Sequence, residues 1–438
     1  MGLLIGVGNT KPTFAYDYYY GIEWDKTVSN PAPTRVGKME LHQELPLQSL
    51  MRRCVLTDTG AVNYYLNAND STKRDTGAAA NLTGADGQYM VELPNMYIRF
   101  ETDGDKCRCL MSPYELPGFI NWRKDYVSAV EATVQRSTTT LASVVSMDAD
   151  YRGGNNNATL DGTDSTQLGK PATAISLTNF RAYARKRGST EWNCNLYQIQ
   201  KKLFWLFAVE YCTFNSQATF NAAVDENGYR QGGLGAGVTT LADAKWSAFN
   251  GYYPVIPCGV TNSLGNKTGV VDYTMPASYD ASGVVVSVPS YRGVENPFGH
   301  IWKWTDGCKA MIQSETDGGL SEFYVCDEPA NFTSSGTANY ALRGNLPRGN
   351  GYVKTVLLGE FGEIMPAEIG GGSTTYFCDY FYTNIPESGV SERGVLFGGD
   401  ANSGAWAGFV YANTNNAPSN TTAFIGSRLC FYPENATA

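Results

Sequence analysis

Short aromatic and β-branched runs recur along this chain, each bounded by glycine, asparagine, serine or threonine, and that alternation most restricts its fold. Such runs suit a pleated, half-buried surface, whereas the residues between them favour turns. With 28 tyrosines, 19 phenylalanines and 47 glycines in 438 residues, the pattern predicts many short strands joined by long polar loops. A hydrophobic fraction of 42% suffices for a packed core and excludes an intrinsically disordered chain. The length predicts two or three domains, or one large domain with long insertions.

Charge and residue inventory remove several functions. A net charge of −9 and a pI near 5.0 argue against a grip on phosphate backbones, so no nucleic-acid partner is expected. The two histidines, His42 and His300, exclude a cluster of imidazoles, and with it a zinc protease. The longest apolar run, Leu203 to Val209, is far too short to span a bilayer. The opening MGLLIGVGNT has no basic flank and too short an apolar run for a secretion signal. The expectation is a soluble chain, made in the cytoplasm, with no membrane insertion. The ten cysteines lack paired CxxC spacing, Cys107 and Cys109 being one residue apart, and are read as buried thiols.

Up to about Leu66 the chain reads as strands and a short helix, and the polar run Asn67 to Gln88 is a plausible boundary. A strand, a turn at Asp103-Gly104 and a second strand follow, then a polar loop from Tyr151 to Ala172. Two helices are predicted. Leu177 to Lys186 has Ser176 or Thr178 as its cap and Gly188 as its stop. Asn195 to Tyr211 places Leu196, Ile199, Leu203, Leu206 and Phe207 on one core stripe, with Gln200, Lys201 and Glu210 off it. The basic run RAYARKRG is read as the wet face of the first helix, and GGLGAGV at 232–238 as a surface loop. From Tyr252 on, short strands and loops are expected. Beyond Gly389 a polar segment is clamped between the strand-like pieces at 395–397 and 428–432, which reads as an ordered, exposed loop surface.

No Ser-His-Asp arrangement and no GxSxG elbow is visible, and a Cys-His pair is open only to His42 or His300. Glu360 and Glu363 in LGEFGEIMPAE are a possible glycosidase pair, although scattered acidic residues are usually a solvated face. The most informative segment is SYRGVENPFGHIWKWTDG, Ser290 to Gly307. Trp302 and Trp304 occupy alternate strand positions and face one side, with Glu295, Asn296 and Asp306 flanking them.

These residues carry a resemblance. FGHIWKWTDG is similar to the GNVWEW-type strand of the C-type lectin fold, in the branch shared by formylglycine-generating enzymes and the variable proteins of diversity-generating retroelements. FRAYARKRG…LYQIQKKLFWLFAVEY resembles the two helices that precede that strand. GGDANSGAWAGFVYANTNNAPSNTTAFIGSRLCF resembles the terminal variable repeat of retroelement-diversified phage receptor-binding proteins, of the major tropism determinant type. The blocks LPNMYIRFE…SPYELPGF, LTNFRAYARKRG, SYRGVENPFGHIWKW, GGSTTYFCDYFY and IGSRL stand in the family's order, from about Val91 to Tyr432.

The resemblance implies an α+β, C-type lectin fold: short antiparallel strands, two helices and long loops, with a small β-rich N-terminal region. Residues 1–90 would attach to the virion or oligomerise, and 91–438 would bind the receptor, with a variable region at about 394–429. The enzyme branch needs a redox-active cysteine pair, yet Gly394 to Gly426 holds no cysteine, and Cys430 reads as a buried thiol. The acidic metal position of the motif is Lys303 and the asparagine position is His300, so no metal or cofactor is expected there. The resemblance instead implies a non-enzymatic phage protein that attaches the virion to a host-cell surface protein or glycan. Its other partners would be virion structural proteins, as a homotrimer in the tail or fibre.

Candidate diversified positions are Asp400, Asn402, Ser403, Trp406, Val410, Ala412, Thr414, Asn415, Asn416, Thr422 and Phe424. Tryptophan does not arise from an asparagine codon by adenine changes alone, so either the template codon at Trp406 differs or the position is fixed. Trp406, Phe409, Tyr411 and Phe424 would supply contact area, and the small polar residues adaptable hydrogen bonds. Two alternatives remain open: a diversified cell-surface adhesin, and a capsule-degrading enzyme on the virion.

Overall fold

The computed structural model describes residues 16–434. The expectations for the opening segment and for the last four residues of the 91–438 unit lie outside the described residues. Among the described residues the chain forms four α-helices: α1 (Met39–Glu44), α2 (Leu177–Arg185), α3 (Tyr197–Tyr211) and α4 (Asp243–Asn250). Nearly everything else that is regular is β-strand.

Three sheets dominate. A five-stranded sheet is centred on Tyr20–Asp25 and Lys106–Ser112, which pair antiparallel from Tyr20 opposite Met111 to Asp25 opposite Lys106. In a seven-stranded sheet, Gln88–Leu93 lies between Arg52–Leu56 and Asp125–Ser128, and Leu429–Phe431 adds to the far side of Asp125–Ser128. The largest sheet has nine strands. It runs through Ala341–Asn345, Ser321–Val325, Trp302–Gln313, Val390–Gly398, Gly408–Asn413, Tyr380–Tyr382, Gly351–Leu358 and Glu363–Ile369, with Ile425–Gly426 paired to the Trp302 strand. The Ala341 strand approaches the Gly351 and Glu363 strands at the opposite end, so the sheet nearly closes into a barrel.

This architecture overturns the expected α+β, C-type lectin fold. The protein is mostly β, built from several sheets and a nearly closed barrel, and its helices are few. Local blocks specify strands and helices, but the pairing of those strands depends on residues far apart in sequence. The line drawn between residues 90 and 91 falls inside the strand Gln88–Leu93, and one core runs from Tyr20 to Phe431 across it.

The helix α3 lies inside the molecule. Of its residues only Gln198 escapes burial. Gln200, Lys201 and Glu210, expected off the apolar stripe, are buried because sheets enclose the helix on all sides. Each polar group therefore needs a partner, since an unpaired buried charge is strongly destabilising. Lys201 Nζ stands 3.3 Å from Glu363 and donates to the Phe361 carbonyl at 3.0 Å. Lys202 Nζ is 3.1 Å from Asp125, and Gln200 Nε2 donates to the Phe409 carbonyl at 2.8 Å. Glu210 accepts from Arg292 Nη2 at 2.6 Å and from the Tyr291 hydroxyl at 3.1 Å.

The helix α2 keeps its expected start, with Ser176 Oγ accepting from the Asn179 N–H at 3.2 Å. Its basic run is not a wet face. Arg181 is buried and makes a two-pronged ion pair with Asp306, at 2.5 and 2.8 Å, while Arg187 bonds Asp58 and the Leu141 carbonyl. Leu234 and Val238 of the 232–238 segment are fully buried, so that glycine-rich run is packed and not a free surface loop. All ten cysteines are free, and nine are buried, Cys212 being half-buried.

A second buried network joins the strand Trp302–Gln313 to the loop after Asp125–Ser128. Lys303 Nζ lies 3.0 Å from Glu131, which also pairs with His300 Nδ1. His300 Nε2 accepts the N–H groups of Val255 and Ile256, both at 3.1 Å, so Nδ1 carries the proton donated to Glu131. Burial pushes the Glu131 carboxyl up, but His300, Lys303 and Arg428 together outweigh it and bring it to about 2. Because this value lies below the free value of 4.5, the stabilisation is complete above pH 4.5 and is lost as pH falls toward 2. Glu131→Gln leaves the Lys303 ammonium without its counter-charge, and should cost about 3–5 kcal/mol. Urea unfolding across that pH range should show the variant losing the acid-limb slope that the parent displays.

Candidate functional site

The segment expected to carry the ligand face leaves the barrel at Gly398, makes a tight loop, and returns as Gly408–Asn413. That return strand is held on both edges. It pairs antiparallel with Val390–Gly398, Phe397 opposite Ala412, and parallel with Tyr380–Tyr382, Phe381 opposite Ala412. The loop is pinned by its own polar side chains. Asp400 N–H donates to Ser403 Oγ at 2.9 Å, and Ser403 Oγ donates to Asp400 Oδ1 at 2.6 Å. From outside, Gln217 Nε2 donates to the carbonyls of Gly404 and Ala407, and Asn402 Nδ2 to Asp243 at 2.7 Å.

The expected site residues separate into two groups. Asp400, Ser403, Phe409, Val410, Tyr411, Ala412 and Thr414 are buried, which corrects the reading of one exposed loop from 400 to 424. The reason is geometric: 408–413 is an interior strand of the barrel, with Phe409 against Phe207, Tyr291 and Phe298. Asp400 and Ser403 are spent on the loop's internal bonds, and Thr414 Oγ1 on Thr383. Asn402 and Trp406 are exposed, and Asn415, Asn416, Thr422 and Phe424 are partly so. Phe424 packs toward Trp246 and Tyr252, on the flank of a smaller core that includes Ala401.

Trp406 is the centre of what remains. The residue is 45% exposed and its ring stacks on Tyr380, with centroids 4.8 Å apart at 22°. Tyr352 meets Tyr380 edge-on at 5.2 Å, and Tyr411 supports it from below at 6.1 Å while packing on Trp302 at 4.5 Å. Tyr382, two residues beyond Tyr380 and so on the same side of its strand, is also exposed. Beside this platform lies a cavity of about 210 Å³, walled by Asn215, Gln217, Ser373, Thr374, Cys378, Asp379, Ala405 and Ala407. Burial holds the Asp379 carboxyl well above the usual carboxylate range, against the opposing pull of the Val410 and Tyr411 N–H groups. Val410 N–H donates to Asp379 Oδ2 at 2.8 Å, and a Cβ at residue 408 would fall 2.0 Å from Oδ1, so Gly408 has no substitute there.

Tyr352, Tyr380 and Tyr382 are absent from the sequence-based set. The alternation Tyr380-Phe381-Tyr382 is a period-two signal for a strand with one aromatic face outward, but nothing local places that face beside residue 406. The chemistry on offer is recognition: flat aromatic area, amides and hydroxyls. Burial pushes the Cys378 thiol up, which is the opposite of an activated nucleophile. Both histidines are buried in the scaffold. Glu363 is buried and ion-paired to Lys201 and Arg343, while Glu360 is exposed. Among the described residues no three His, Cys, Asp or Glu side chains gather as a metal site.

No family model matches the sequence, and no characterised protein matches it significantly. Among solved structures, PvdO from Pseudomonas aeruginosa aligns over 81% of this chain and 100% of its own, with a TM-score of 0.35 and 12% identity. The Major Tropism Determinant U1 variant aligns over 94% of this chain and 85% of its own, with a TM-score of 0.21 and 12% identity. The M1 variant aligns over 82% and 77%, with a TM-score of 0.21 and 14% identity.

The two groups of residues should respond differently to truncation. Phe409→Ala should cost about 3–5 kcal/mol, as a large core aromatic does. Trp406→Ala should cost only about 0.5–1.5 kcal/mol, the worth of an aromatic pair at a surface. Urea denaturation of both variants measures the contrast.

Proposed function

We propose that this chain is a bacteriophage receptor-binding protein that attaches the virion to a host-cell surface receptor through the face centred on Trp406. The observation that carries the reading is the stack of an exposed tryptophan on Tyr380, mounted on an interior barrel strand and rimmed by exposed amides and hydroxyls. Binding hot spots concentrate in tryptophan and tyrosine, which bring large contact area at small entropic cost. A rigid base matters equally, because ordering a loose loop on binding subtracts from affinity.

Diversification by a retroelement fits the same division of residues. Asn402, Trp406, Asn415, Asn416 and Thr422 are solvent-facing positions where exchange leaves the core intact, whereas 409–412 belong to the packed interior. In this reading the protein acts without catalysis, as a homotrimer in the tail or fibre. Several copies would then raise avidity by roughly 10²–10⁴-fold if geometry lets them engage together. The ion pairs that tie Glu363 to Lys201 and Arg343 favour adhesion over a hydrolase that uses that carboxylate.

Binding of the labelled protein to a panel of bacterial strains tests the role. Trp406→Ala should weaken adhesion to a responsive strain by about thirtyfold, the effect of a hot spot worth about 2 kcal/mol, with the fold retained. Unchanged adhesion would remove Trp406 from the binding face. Deep sequencing of the gene in a propagated viral population should place adenine-derived changes at codons 402, 415, 416 and 422, with 409–412 held constant.

A further inference from the structure

A second cleft, sharing no residue with the Trp406 face, has the opposite character to the chain as a whole. It measures about 410 Å³, within the roughly 300–1,000 Å³ typical of small-molecule pockets. Its walls come from the Ala68-Asn69 turn, the end of α3, the strand Phe220–Val224, Arg230, the 266–268 loop and Arg292. In a chain of net charge −9, this lining holds three cations, Arg230, Lys267 and Arg292, against one carboxylate, Glu210.

That carboxylate is already committed. Arg292 grips it from Nε at 3.1 Å and Nη2 at 2.6 Å, and the Tyr291 hydroxyl adds a bond at 3.1 Å. The other two cations are left over. Lys267 is exposed and makes no ion pair among the described residues. Arg230 reaches Glu210 only at 4.0 Å from Nε, and the one hydrogen bond its side chain makes among the described residues is a long one, 3.4 Å, from Nη1 to the Ala222 carbonyl. Neutral donors stand beside them. Asn266 is fixed with its Oδ1 accepting the Arg53 N–H at 2.8 Å, and the exposed amides of Asn69 and Asn221 complete the rim.

We propose that this cleft binds a small anionic ligand of monosaccharide size, bearing a carboxylate or a phosphate, held by Arg230 and Lys267 with amide bonds from Asn69 and Asn221. An anion there supplies the counter-charge that Glu210 does not, and charge-assisted bonds to guanidinium and ammonium are the strong ones. Arg292 acts as a positioning residue, since its own charge is satisfied by Glu210.

Calorimetric titration of the full chain with inorganic phosphate, glucuronate and glucose tests the site. Binding of phosphate or glucuronate but not glucose is expected, the better of the two anions identifying the charged group. The Arg230→Ala/Lys267→Ala double variant, both positions lying outside the core, should bind that anion at least tenfold more weakly with an unchanged unfolding midpoint. Lys267→Glu alone should weaken it further than Lys267→Ala. Equal binding of glucose, no binding of either anion, or full affinity in the double variant would overturn the proposal.

Discussion

The long helix α3 is almost wholly buried, yet four of its buried side chains carry charge or a polar amide, and the fold depends on satisfying them. Lys201 reaches Glu363 in the barrel, Lys202 reaches Asp125 in the seven-stranded sheet, and Glu210 takes Arg292 from the loop after Val285–Tyr291. Replacing such pairs with apolar residues is often neutral for stability, whereas removing one partner is severe. The pairs thus fix which sheet lies against which face of the helix. Arg181 with Asp306, and Lys303 with Glu131, do the same for the strand that carries Trp302 and Trp304. The result is a scaffold held in register by polar contacts as well as by packing.

That rigidity is what gives the Trp406 face its character. The loop between Gly398 and Gly408 is short, internally bonded through Asp400 and Ser403, and clamped by Gln217 and Asn402. Its exposed ring sits on Tyr380, which Tyr352 and Tyr411 brace in turn. Under the proposed function, a surface of this kind separates two demands on a variable binder. Residues facing solvent are free to change, and those a few positions away, such as Phe409 and Ala412, are not, because close-packed interiors respond to single methylenes.

Much of the local structure was legible. The Ser176 cap and the apolar spacing located α2 and α3, and the paired tryptophans marked a buried strand. Several environments were not legible. The spacing of Gln200, Lys201 and Glu210 is what a solvated helix face would show, and only the sheets wrapped around α3 reverse that reading. RAYARKRG reads as a wet basic face for the same reason, until Asp306 arrives from a distant strand and Asp58 from a distant turn. Within 400–424, the continuous burial of Gly408–Asn413 was hidden because a strand covered on both faces shows no alternation, and polar neighbours in sequence disguised it.

By itself the sequence determined that the chain is rich in short strands, that its cysteines sit without paired spacing, and that aromatic and amide residues cluster near the C-terminal end. Propensity, turn chemistry and spacing are local properties, and they act within a few residues. The tertiary structure alone decided that the strands assemble into a nearly closed barrel beside two further sheets, which lysines and arginines become interior, and which of thirteen expected site residues face water. It also brought Tyr352 and Tyr380 to Trp406, and Arg230 and Lys267 to one cleft. These are pairings between segments far apart in sequence, and their energies depend on burial and on partners that no local window contains.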